Sequence, residues 1–186
     1  MKRTSRLFIA AAFATFGAAL AACGSESHTN DSGGTADMSA SPDMVVVQPL
    51  VGKWQSTGAD IAPLLAGMPF NLTDIKAQFN ADQTYTVDAT DKNNTTTKFT
   101  GTWTATASTK MNIWDITLNQ SMPSVVTSKG IYQVDTSVTP NRMTYEVAQT
   151  QPPISGVTPP TADMGFGSTS SGALGMNNVQ KYSRLP

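Results

Sequence analysis

The sequence predicts an all-β domain closed into an eight-stranded antiparallel barrel. From Val45 onward apolar residues alternate with polar ones, the period of a strand with one buried face. Clusters of turn-forming residues interrupt that alternation about every ten residues, as in successive hairpins. Charged residues are only 13% of the 186-residue chain, about half the usual share. Thr, Ser, Asn and Gln carry the polarity instead, which suits strands and loops better than solvated helices.

The first strand is read at residues 52–57, Gly-Lys-Trp-Gln-Ser-Thr. Residues 59–73 then mix Pro63, Gly67 and Pro69 with Ile61, Leu64, Leu65, Met68 and Phe70; this predicts a short helix and loop plugging one barrel end. Ile75, Ala77 and Phe79 alternate along a second strand, which turns at Asn80-Ala81-Asp82-Gln83. Tyr85, Val87 and Ala89 mark the third, and Asp91-Lys92-Asn93-Asn94 turns the chain again. The fourth places Phe99, Gly101, Trp103 and Ala105 on one face and Thr96, Thr100, Thr102 and Thr104 on the other. A glycine in mid-strand predicts a bend or bulge at Gly101. Trp114, Ile116 and Leu118 define the fifth strand, residues 131–134 the sixth, and Met143, Tyr145 and Val147 the seventh. Residues 149–175, with four prolines and five glycines, form a loop of a length that is usually functional or disordered. The eighth strand is read at 179–184. Eight short strands in hairpin order predict closure, because an open sheet would leave two unpaired edges.

The N-terminus has a different composition. Lys2, Arg3 and Arg6 precede an almost unbroken apolar run over 7–20, the anatomy of a secretory signal too short to remain as a membrane span. Leu20-Ala21-Ala22-Cys23 resembles a bacterial lipobox. That resemblance implies cleavage after residue 22 and acylation of Cys23, with palmitate-like chains as the membrane anchor; two or three chains hold stably where one does not. Gly24 in place of Asp implies outer-membrane sorting within the cell envelope. The expected organisation is a signal peptide over 1–22, a lipidated Cys23 with flexible linker over 23–44, and a barrel domain over 45–186. The linker is Gly-, Ser-, Asp- and Thr-rich and too poor in branched apolar residues to fold.

Leu50-Val51-Gly52-Lys53-Trp54 resembles the Gly-x-Trp opening of lipocalin-type barrels, with Arg184 the candidate for the arginine that those barrels set against the Trp. Phe79-Asn80-Ala81-Asp82-Gln83-Thr84-Tyr85, Gly101-Thr102-Trp103 and Gly130-Ile131-Tyr132-Gln133-Val134-Asp135 resemble bacterial lipocalin-like domains without assigned activity. The resemblance implies a structural closure by Gly52, Trp54 and Arg184, and a barrel either hollow or filled by its own side chains.

The residues narrow the chemistry. Cys23 and His28 are the chain's sole cysteine and histidine, and both precede the barrel, so no mechanism there can use His or Cys. No disulfide can form within one chain, and no metal site or cofactor is expected. With Lys2, Arg3 and Arg6 removed, nine basic side chains face thirteen acidic ones, a net charge of −4 with no basic footprint for nucleic acid. Most acids sit beside turns, where Asp bonds nearby amides. Asp115 and Glu146 lie within strands and, with Trp114 and Tyr145 inward, are expected to face solvent. The aromatic residues fall on strand positions, either as packed core or as the lining of a pocket formed by Met68, Phe70, Tyr85, Trp103, Trp114 and Tyr132, its mouth framed by Met68, Phe70 and the long loop. The expectation is a non-enzymatic, monomeric envelope lipoprotein binding a small apolar ligand. The alternative is an interaction, inhibitor or scaffold module that meets an envelope protein through the 149–175 loop.

Overall fold

The computed structural model describes residues 49–186. The expected signal peptide, Cys23, His28, the linker and the first four residues of the expected domain lie outside the described residues. The elements run β1 (Gly52–Thr57), a 3-10 turn (Gly58–Asp60), a one-turn helix α1 (Pro63–Ala66), β2 (Leu72–Phe79), β3 (Thr84–Asp91), β4 (Thr96–Ala107), β5 (Trp114–Met122), β6 (Val126–Asp135), β7 (Arg142–Gln151), a second 3-10 turn (Gly175–Asn178) and β8 (Gln180–Arg184). Each strand pairs antiparallel with the next, and β8 returns to β1, closing the barrel. Closure leaves no sheet edge for another chain to pair with.

The β1–β8 seam is short, with Trp54 opposite Arg184 and Gln55 opposite Ser183. A side-chain clamp reinforces it. From β7, Arg142 Nη2 donates to both carboxylate oxygens of Asp60 at 2.8 Å, and Nη1 donates to Ser183 Oγ between them. Two glycines let strands bend closely past their neighbours. A Cβ at Gly101 would lie 2.1 Å from the Asn119 carbonyl oxygen, and one at Gly130 would lie 2.0 Å from that of Glu146. The β4–β5 register shifts between Thr100 and Gly101, where the sequence predicts a bend.

Turns 80–83, 108–113 and 136–141 gather at one end of the barrel, and that half of the interior is packed solid. Phe79 meets Trp103 edge-on at 5.8 Å between ring centroids, and Trp114 stacks on Tyr132 at 6.2 Å. Buried Trp54, Ile116 and Met143 complete this layer. Here the chain enters. Trp54 Nε1 donates to the Leu50 carbonyl at 2.8 Å, while Arg184 donates to the Val51 and Pro49 carbonyls with its guanidinium 5.3 Å from the Trp54 ring centroid. Gly52 leaves room for that guanidinium, since a Cβ there would sit 2.6 Å from Arg184 Nη2. The three residues expected to close the barrel thus meet at its base.

The long loop corrects one expectation. No residue of 152–179 lines the barrel mouth. The segment instead lies as a strap along the outer wall, where Ile131 and Glu146 are fully buried and Ala148 nearly so. Glu146 does face outward, as its alternation with Tyr145 requires, but it does not face solvent. Its carboxylate accepts from Gly167 N at 2.6 Å, Thr169 N at 3.1 Å and Thr169 Oγ1 at 2.6 Å. Asn178 Nδ2 donates to the Val147 carbonyl and to Thr169 Oγ1, binding the returning limb of the strap to β7. The reason is apolar: Ile131, Ala148 and the strap's own Ala162 and Leu174 would otherwise meet water.

A cavity in the upper half of the barrel

The other half of the barrel holds a cavity of about 620 Å³. Strand alternation supplies its wall: Ile75 from β2, Tyr85, Val87 and Ala89 from β3, Phe99 from β4, Leu118 from β5, Tyr145 and Val147 from β7, and Tyr182 from β8. Leu65 of α1, Pro69 and Phe70 enter from the β1–β2 connection, Leu72 from the first position of β2, and Asp91 with exposed Thr95 forms the rim at the β3–β4 turn. The short helix therefore narrows the opening, as the sequence predicts for residues 59–73. Its position is fixed from within, because Ala62 N donates to Gln180 Oε1 at 2.8 Å and Gln180 Nε2 donates to Ser56 Oγ, all three residues being buried. These bonds satisfy polar groups that would otherwise be costly at the top of an apolar interior.

The pocket expected from the sequence is divided by this arrangement. Phe70 and Tyr85 line the cavity. Trp103, Trp114 and Tyr132 stand in the packed half below it, and Met68 points away with 80% of its surface exposed. The structure adds Tyr145 and Tyr182, whose rings meet edge-on with centroids 6.1 Å apart. Strand alternation marks both as inward, but says nothing about height along the barrel axis, and height decides whether a ring packs into the floor or borders the hollow.

The cavity's polar groups are few. It contains no Lys, Arg or His, and its one carboxylate, Asp91, is at the rim. Asp91 Oδ1 accepts from Thr95 N at 2.9 Å and Asn93 N at 2.8 Å, and these bonds hold its carboxyl below the usual range. Thr97, Gln120 and Ser128 add neutral polar atoms. Burial pushes the Tyr85 phenol up to about 12 and raises Tyr182 further. Tyr145 is also raised, first by burial and then by the neighbouring phenols of Tyr182 and Tyr85. All three are therefore neutral hydroxyls at ordinary pH.

Elsewhere the surface offers less. A polar hollow of about 540 Å³ at the closed end is bordered by Asp135 and Arg142, but Asp135 is engaged by Ser137 and Arg142 by Asp60. Asp115 and Glu146 lie on the outer wall, each opposite Ile131, so neither faces the cavity. Gly165-Phe166-Gly167 belongs to the strap, where Gly167 serves Glu146. Among the described residues no group of three His, Cys, Asp or Glu is placed to hold a metal ion.

Fold and site together define a closed antiparallel β-barrel, packed at one end and hollow at the other. No known protein family, curated protein or solved structure matches the chain.

Proposed function

We propose that this barrel binds a small apolar ligand in its upper cavity, and that the protein is a lipocalin-like lipoprotein held to the cell envelope through Cys23. The observation that carries the binding reading is the cavity itself. Its volume of about 620 Å³ falls within the range of roughly 300–1,000 Å³ of small-molecule sites, and its lining has their usual character, mostly apolar with a few placed polar groups. A hollow of this kind runs against the tendency of small barrels to fill themselves, since empty apolar space forfeits contacts. The meeting of Gly52, Trp54 and Arg184 supports the lipocalin-like reading, and Leu20-Ala21-Ala22-Cys23 supports the anchor. Interaction through residues 149–175 is the second reading; it rests on Met164, exposed by 61% on the strap, with Met176, exposed by 57%, just beyond the segment's end.

Native mass spectrometry of the untagged full chain, produced in its own host and kept undenatured, tests both parts. The expected spectrum shows a mature chain beginning at an acylated Cys23, with an additional mass that organic extraction removes. A clean apoprotein that takes up nothing from a native lipid extract would overturn the binding reading. An unacylated Cys23 would overturn the anchor.

A further inference from the structure

We propose that the hydroxyls of Tyr85, Tyr145 and Tyr182 form a polar centre that selects an uncharged ligand, one with a carbonyl or hydroxyl group on a compact apolar body, over a carboxylate of the same shape. The inference rests on the cavity-binding reading and specifies the ligand class.

Three observations carry it. Three strands bring the phenols into one cavity, and none of them has a hydrogen-bond partner among the described residues, although Tyr85 and Tyr182 are only 4% and 6% exposed. Gln149 Oε1 and Ser170 Oγ are sealed in without a partner, whereas no phenol oxygen of the three is, and all three residues line the cavity. Buried polar groups are nearly always satisfied, so hydroxyls left open toward a hollow are fitted to a partner that the ligand brings. Each phenol can both donate and accept, which suits a carbonyl or a hydroxyl equally.

The absence of positive charge sets the selectivity. With no cation in the lining and Asp91 at the rim, a carboxylate would enter a low-dielectric space without a countercharge and past a like charge. A neutral ligand avoids both costs. The surrounding Phe70, Phe99 and phenol rings favour a flat apolar body, on which aromatic faces and edges pack.

The test uses three probes of nearly equal shape, acetylnaphthalene, ethylnaphthalene and naphthoate, titrated calorimetrically into the native protein and into Tyr145→Phe and Tyr182→Phe variants whose circular dichroism matches it. In the native protein at neutral pH, the ketone is expected to bind about tenfold more tightly than the hydrocarbon and at least as much more tightly than the acid. Each Tyr→Phe change is expected to weaken ketone binding about three- to tenfold and leave the hydrocarbon unchanged. Equal or tighter binding of naphthoate, or ketone binding that neither variant alters, overturns the polar centre while uptake of ethylnaphthalene still upholds the cavity reading. No uptake of any probe overturns both. Should one variant fail to fold, the native protein's ranking of the three probes decides alone.

Discussion

Arg184 shows how much one residue organises at the closed end. Its guanidinium faces the Trp54 ring, donates to the Val51 carbonyl at 2.6 Å and occupies space that Gly52 leaves free. The cation–π contact contributes about 0.5–2 kcal/mol, and the lost bond to a backbone carbonyl adds about 1 kcal/mol. Arg184→Ala is therefore expected to lower the midpoint of thermal unfolding by about 5–10 °C in a scanning calorimeter. An unchanged midpoint would show that Trp54 packing alone closes the base. These three residues were legible in the sequence because they are individually distinctive. The turn aspartates were legible for a local reason: Asp82 accepts from Thr84 N and Asp135 from Ser137 N, bonds that need only two residues of chain. Glu146 was not. Its direction followed from strand alternation, but its burial depends on a segment some twenty residues away in sequence, with no periodicity to announce where it lies.

At the scale of elements, the strands were the most readable part and the strap the least. The alternation of Tyr85, Val87 and Ala89, or of Trp114, Ile116 and Leu118, reports directly which side chains enter the barrel. The sixth strand proved longer than expected, running from Val126 to Asp135, because Ser128 and Gly130 at its inward positions carry little apolar signal. Glu146 fixes the strap, and Glu146→Ala removes the acceptor for three enclosed donors. The cost is about 3–5 kcal/mol, since each stranded donor loses its bond without gaining water. Hydrogen exchange should then rise in residues 161–178 while β2 to β5 remain protected. A uniform rise across the barrel would show that strap and barrel open as one cooperative unit.

The whole molecule is expected to report its integrity through its tyrosines. All four in the chain are raised above the ordinary phenol value, principally by burial. The unfolded chain releases these protons near pH 10, and the folded barrel keeps them. Their contribution to stability is therefore fully present below about pH 10 and is lost as pH rises through the folded values, beginning with Tyr85 near 12. Phenolate absorbance followed during an alkaline titration should rise in one cooperative step that coincides with loss of the barrel's circular dichroism. A phenol titrating near pH 10 in an intact barrel would contradict this. The hollow was the whole-molecule property hardest to anticipate. An inward aromatic reads the same in sequence whether Trp103 fills the floor or Tyr182 borders the space above it.

The barrel has a direction, and it follows from where the chain comes in. Pro49 and Leu50 join the closed base through Arg184 and Trp54, whereas Phe70 and Thr95 border the opening at the opposite end. Residues 1–48 therefore join the barrel at its base and not at its mouth. An anchor at Cys23, as proposed, would load the barrel at the end opposite its mouth, so tension on the chain would bear on Trp54 and Arg184 and leave the cavity walls unstrained.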